Sequence, residues 1–292
     1  MHRIILEEAQ YKETAFITLT YDDKYLPRTA VGYGEEITED TPTPLATLSI
    51  RDYQLFLKRL RKALSPVKIR YFAAGEYGDE TQRPHYHLVV FGFPPCRRIE
   101  GTIKDHYKKR ISCCPSCDLV LSCWDKGFIH IGPSGGDDVA RYVSGYVVKK
   151  FSKAHPDLKG RVPEFGKHSQ GLGLAAMDEV ASELLGLDPA KAFPEGDVPS
   201  ALRHGKKFLP LGRYLRGKLR LRVGFPDEKA PEAVRQAKEA EMRAMRQDHL
   251  DNSASRSTYQ GPTLKSKVLD STKGARANLE AREKLFRQRR KI

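Results

Sequence analysis

The chain has 292 residues, enough for one catalytic domain with extensions or for two small domains. Its 39% hydrophobic and 30% charged content supports a core with part of the chain outside it, and no apolar run approaches the ~20 residues of a membrane helix. A net charge of +14, from 51 Lys and Arg against 37 Asp and Glu, favours a polyanionic partner, with nucleic acid first. The N-terminal MHRIILEEAQ carries acids and lacks the apolar segment of a signal peptide, so a soluble, cytoplasmic protein with no membrane partner is expected. Five cysteines, an odd number, argue against a disulfide framework.

Residues 14–21, TAFITLTY, are β-branched and aromatic and read as a strand. A polar stretch with Pro and Gly, about 22–48, reads as a long loop. Ser49 then opens a helix, with Asp52 three residues on approximating a capping box. Tyr53, Phe56, Leu57, Leu60 and Leu64 recur at helical spacing, and Pro66 ends the run. Strands are expected at 67–74, at 85–92 and at 127–132, with an insert at about 94–124 between the last two and a helix at about 137–150. This order predicts an α+β fold, an antiparallel sheet with helices packed on one side. Residues 203–222 hold eight Lys or Arg and no acid, which suits DNA backbone contact or a solvated charged face. From 225 onward the composition suits two solvated helices, near 231–249 and 275–290, within an extended or disordered tail.

RPHYHLVVFG sets His85 and His87 two apart on a strand, so both imidazoles point to one face while Tyr86, Leu88 and Val90 point to the other. Two converging imidazoles are a ready pair of metal ligands. Glu76 ends the preceding strand, and a hairpin turn across 77–84 would bring it alongside, completing a two-His, one-carboxylate set with open coordination positions. His130, in FIHIG, suits a structural or DNA-facing role.

DDVARYVSGYVVKK places Tyr142 and Tyr146 on one helix face, with Lys149 joining them and Val139, Val143 and Val147 forming the adjacent stripe. A phenol has an unperturbed pKa of ~10, so a neighbouring cation is needed to favour the phenolate before it can attack a phosphodiester. The same spacing also suits two packing tyrosines.

Together these segments resemble the HUH endonucleases, most closely the replication initiators of microviruses of the gokushovirus type. FITLTYDDKYLP is similar to the family's first motif, RYFAAGEYGDETQRPHYHLVVFG to its metal motif, and WDKGFIHIGPSGGDDVARYVSGYVVKK to its strand and double-tyrosine helix. EFGKHSQGLG and LPLGRYLRGKL are similar to downstream segments, so the likeness runs over about 14–222 and skips the tail. It implies an HUH/RRM-like nuclease core at 1–150, a basic, partly helical extension at 151–224 and a charged tail at 225–292. Histidines preceding tyrosines is the order of replication initiators, and the pattern Tyr-x-x-x-Tyr-x-x-Lys is met by Tyr142, Tyr146 and Lys149.

The implied chemistry is rolling-circle initiation. Glu76, His85 and His87 would hold Mg²⁺ or Mn²⁺, the latter at least as plausible given two imidazole ligands. A tyrosine would nick one strand, keep a 5′-phosphotyrosine link and free a 3′-hydroxyl, and the strand would later be rejoined. The implied partners are single-stranded or supercoiled origin DNA and the host helicase and polymerase, in the cytoplasm of a bacterial host cell.

CCPSCDLVLSC departs from what that family leads one to expect. Cys114 and Cys117 have the Cys-x₂-Cys spacing of a zinc knuckle, with Cys96, Cys113, Cys123 and His106 as candidates to complete a structural Zn²⁺ site; free thiols in a surface insert are the other reading. Competing functions are a related HUH plasmid initiator or transposase, a DNA- or RNA-binding module without catalysis, and a metal hydrolase that uses water.

Overall fold

A computed structural model describes residues 1–29, 44–96, 113–134, 158 and 160–255, with side chains as far as 248. The helix expected at 137–150, and with it Tyr142, Tyr146 and Lys149, lies outside the described residues, as does the helix expected at 275–290. The chain divides into two compact units, one of Met1–Asp188 and Pro199–Glu228, the other of Pro189–Val198 and Lys229–Ile292.

The first unit is built on a five-stranded antiparallel sheet. Its members are β1 (Thr14–Tyr21), β2 (Arg70–Tyr77), β3 (Pro84–Phe91), β4 (Gly127–Pro133) and β5 (Phe165–His168), in the spatial order β4-β1-β3-β2-β5. The expected α+β class and antiparallel sheet are therefore present. β3 is bonded on both sides, with Thr18 opposite His87 on β1 and Glu76 opposite His85 on β2. β2 starts three residues later than the sequence suggests, because its pairing with β3 continues down the hairpin to Tyr77 opposite Pro84.

Helix α2 (Ile50–Ala63) begins where expected: the Ser49 hydroxyl accepts from the Asp52 amide at 3.2 Å. Its apolar face, Tyr53, Phe56, Leu57 and Leu60, packs with Tyr86, Leu88 and Val90 of β3 in one core. Helix α3 (Pro115–Trp124) lies within the segment that the sequence presents as an insert, and it joins the same core through Cys117, Val120, Cys123 and Trp124. Trp124 is its anchor: the indole N–H donates to Thr20 O at 3.0 Å, and the ring sits 5.0 Å from that of Tyr21. Asp125 ends α3 in the left-handed region, at φ 49°, and Gly127 then starts β4. A Cβ at Gly127 would fall 2.1 Å from Thr20 O, so only glycine allows β4 this close approach.

A phenol network ties the start of α2 to the sheet. Tyr21 donates to Asp52 Oδ2 at 2.9 Å, its hydroxyl lies 3.0 Å from that of Tyr86, and the Ser49 amide donates to the Tyr86 oxygen at 2.8 Å. Burial pushes the Tyr86 phenol up to about 12, so it stays protonated as a structural group.

The N-terminal helix α1 (His2–Glu8) is an element that the sequence reading does not assign. Its Ile4 clusters with Ala74, Val89, Phe91 and Leu172 on the opposite face of the sheet from α2. Buried Glu7 pairs with Arg70 of β2 and accepts from the Gly173 amide, which locks α1 to that face.

The basic stretch folds as β6 (Ala201–His204), β7 (Lys207–Pro210) and helix α6 (Gly212–Arg222), the last preceded in the chain by α4 (Ala176–Leu185) and the short α5 (Pro189–Ala192). Leu215 and Leu219 of α6 are buried, Lys218 pairs with Glu228, Arg222 pairs with Asp178, and Arg220 donates to Glu228 O. Part of the positive charge thus serves internal packing. In the second unit, α7 (Glu232–Ser255) realises the first of the two expected tail helices, and Lys238 lies 3.4 Å from Glu195. No described helix is long and apolar enough to cross a membrane.

Leu60 is fully buried beneath β3, so Leu60→Ala is expected to lower unfolding free energy by about 2–5 kcal/mol, measured as a reduced denaturant midpoint with an unchanged slope.

Candidate metal centre

Antiparallel registry turns the two-residue period of each strand into a shared face. Thr18 and Thr20 of β1, His85 and His87 of β3, and Ala74 and Glu76 of β2 are cross-strand neighbours, so their side chains project together, opposite the α2 core. His130 of β4 is opposite Thr18 and projects to the same face.

At the centre of this face the His87 ring lies between two partners. Its Nδ1 is 3.1 Å from the Thr18 hydroxyl, which donates to it, leaving Nε2 to face Glu76 Oε1 at 2.7 Å. Both His87 and Glu76 are only 7% exposed, so neither has solvent to satisfy it. A buried nitrogen and carboxylate oxygen at this separation can share a proton or be bridged by one cation. Phe16 supports the ring from one side, its plane within 2° of that of His87 at 5.7 Å between centroids.

His85 repeats the arrangement one step along the strand. Its Nδ1 lies 3.2 Å from the Thr20 hydroxyl, and its ring centroid is 6.4 Å from that of His87. Burial, then the proximity of His87 and of Arg83, press this imidazole down to about 4. At neutral pH it is therefore uncharged and holds a free lone pair, the form that ligates metals. Gly78 makes room for it, since a Cβ there would come within 3.2 Å of His85 Nε2. Arg83 is held beside the strand by Asp23 and by donation to Tyr21 O at 2.8 Å.

The three metal ligands expected from the sequence thus lie on one face of adjacent strands. Two of them, His87 and Glu76, touch; His85 is their neighbour across β2 and along β3. The donor set, two imidazole nitrogens and a carboxylate oxygen held by a hydroxyl behind each ring, fits a divalent cation such as Mn²⁺ or Mg²⁺. Thr18 and Thr20, which the sequence reading leaves as strand residues, are part of this centre. Their spacing of two on a strand that pairs with the His-x-His strand is the signal that would have found them.

The second cysteine reading has a definite geometry. Cys114 and Cys117 lie with Cys96 and Cys113 in a group whose sulfurs are all within 4.8 Å of one another. Cys123 points elsewhere on α3, its carbonyl accepting from Arg59 at 3.1 Å, and His106 lies outside the described residues. Burial pushes the Cys113 thiol up to about 11. Burial works against the Cys114 thiolate too, yet hydrogen bonds from the backbone of Cys117, the neighbouring thiols and Ser116 draw it below the ordinary thiol value.

Thr18→Val keeps the shape of the strand but removes the hydroxyl that orients His87. It is expected to weaken Mn²⁺ binding roughly 10-fold or more, measured by calorimetric titration, with the fold unchanged by circular dichroism.

Comparison with known proteins shows where this arrangement recurs. Residues 14–151 match the family model of the replication-associated protein ORF2. The chain is 29% identical over 154 residues to the replication-associated protein VP4 of Bdellovibrio phage phiMH2K, covering 50% of this chain and 42% of that protein. It is 32% identical over 168 residues to the replication-associated protein ORF2 of Spiroplasma virus 4, covering 56% and 47%. It is 26% identical over 151 residues to the replication-associated protein ORF4 of Chlamydia phage 1, covering 50% and 33%. The match therefore spans less than half the length of each of these relatives.

Proposed function

We propose, from the premise that this chain is related to the replication-associated proteins of microvirus-like phages, that it initiates rolling-circle replication by nicking one strand of origin DNA with a tyrosine. The observation that carries the reading is the buried face on which Glu76 meets His87, with His85 beside them, on the two central strands of the sheet. This donor set lies inside the stretch matched by the family model.

Glu76, His85 and His87 would hold Mg²⁺ or Mn²⁺, and the bound ion would supply Lewis-acid polarisation of the scissile phosphate. Thr18 and Thr20 fix the two rings so that their other nitrogens face outward from β3. Tyr142 or Tyr146 is the nucleophile: its phenolate oxygen bonds to phosphorus, the bond from phosphorus to the 3′ oxygen breaks, and the departing oxygen takes up a proton. The products are a 5′-phosphotyrosine and a free 3′-hydroxyl. The covalent link conserves the phosphodiester bond energy for rejoining the strand. Lys149, one turn beyond Tyr146 on the expected helix, favours the phenolate and orients the phosphate. The second tyrosine would serve the second transfer, when the regenerated junction is cut. The net charge of +14 draws the DNA in and makes binding salt-dependent. The host polymerase and helicase would extend and unwind from the exposed 3′ end, in the cytoplasm of the infected bacterium.

The test is incubation of the full chain with single-stranded DNA tiled across the genome that encodes it, in Mn²⁺. A nick with a covalent adduct of protein and DNA is expected. A mobility shift without cleavage would instead identify a binding module, and cleavage without an adduct a hydrolase that uses water. His85→Ala or His87→Ala is expected to abolish cleavage, and the double change Tyr142→Phe with Tyr146→Phe to abolish the adduct while DNA binding persists. Either tyrosine change alone is expected to leave nicking detectable. Full cleavage by His87→Ala would refute the metal assignment.

A further inference from the structure

We propose that Cys96, Cys113, Cys114 and Cys117 form a structural zinc site that fastens the chain following β3 to the N-terminus of α3.

The sulfurs of Cys96 and Cys113 are 3.4 Å apart and those of Cys113 and Cys117 are 3.6 Å apart, and all four lie within 4.8 Å of one another. A zinc ion with Zn–S bonds of ~2.3 Å sets its tetrahedral sulfurs roughly 3.8 Å apart. The four thiols therefore already stand at the separations that one ion requires. They are too distant for a disulfide, whose sulfurs approach to about 2.05 Å. An iron–sulfur cluster places each cysteine on a different iron and spreads them more widely, so a single ion fits this compact group better. Cys96 and Cys117 are buried and the other two partly so, which makes a closed, all-sulfur set with no position left for substrate, the pattern of a structural site.

The placement explains what the ion would do. Cys113 and Cys117 belong to one end of the quartet, at the first turn of α3, where Cys114 is the N-cap and Pro115 the first helical residue. Cys96 comes from the other end of a segment 17 residues apart in sequence from Cys113. One ion bonded to both would hold the two ends of that segment together at the edge of the α2 core, where Cys96, Cys117 and Phe93 are packed. It would also fix α3, whose Trp124 anchors the start of β4 through Thr20. The quartet packs with the α2 core, whereas Glu76, His85 and His87 project from the other face of the sheet, so the two donor sets are independent.

The test uses the full chain, expressed in zinc-supplemented medium, purified with reductant and examined by native mass spectrometry and elemental analysis. One zinc per chain is expected, together with a lower unfolding temperature after its removal. Cys96→Ser and Cys117→Ser should each lose the zinc, while Cys123→Ser and His87→Ala keep it. Should the serine variants fail to fold, cobalt replacement in the unaltered chain gives the readout: the intense sulfur-to-cobalt absorption of an all-thiolate tetrahedral site is expected. The proposal is overturned by a zinc-free chain with all five thiols titratable, by a disulfide among the four, by iron in place of zinc, or by zinc that leaves with His87→Ala but stays in Cys117→Ser.

Discussion

Everything in the first unit depends on β3 being hydrogen-bonded on both sides, to β1 and to β2. A strand with two fixed registers cannot slip, since a slip of one residue would exchange its two faces. Tyr86, Leu88 and Val90 are thereby committed to the α2 core, and His85 and His87 to the opposite face. The apolar set holds the strand against the helix, and the imidazoles follow from the same alternation. Tyr86, which separates the two histidines in the chain, adds a polar lock on the core side, its hydroxyl held by the Ser49 amide at the start of α2.

Placing four polar side chains, Thr18, Thr20, His87 and Glu76, at under a tenth of their exposed area would be costly if they were unpaired. Each is paired here. The threonine hydroxyls back the rings and the carboxylate faces the imidazole nitrogen, so the cluster is satisfied internally and oriented before any cation or substrate arrives. Such preorganisation distinguishes a ligand set from histidines that merely fill a surface. The wall of aromatic and apolar groups nearby, Phe16, Val89 and Phe91, excludes water on the inner side and strengthens the electrostatics.

The segment between β3 and β4 is integrated into the fold rather than appended to it. Helix α3 fills the core with Trp124 and Val120, salt-bridges Arg59 of α2 through Asp125 at 2.9 Å, and delivers Gly127 to a backbone crossing that no other residue could occupy. β4 in turn pairs with β1 and carries His130 to the polar face. The cysteines sit at the root of this connection, so chemistry at the sulfurs bears on the geometry of the sheet edge.

By itself the sequence determined the elements with a strong period and clear ends. β1 appears with the expected bounds, α2 begins at its Ser49 cap, and the faces of β3 follow from alternation, because these signals are local and do not need the rest of the chain. It also placed Glu76 at the hairpin that returns to the histidines. Tertiary structure alone decided the rest. α1 is seven residues long and β5 four, too short for a period, and each is defined by what it packs on or pairs with, Glu7 with Arg70 and Phe72 with His168. Glu76 is opposite His85 in register, yet its carboxylate reaches His87, because a diagonal reach depends on sheet twist and rotamer rather than on spacing. Likewise, Cys-x₂-Cys is visible in the chain, but the choice of Cys96 and Cys113 over Cys123 rests on long-range packing, since sequence separation carries no information about which sulfurs a folded core brings together.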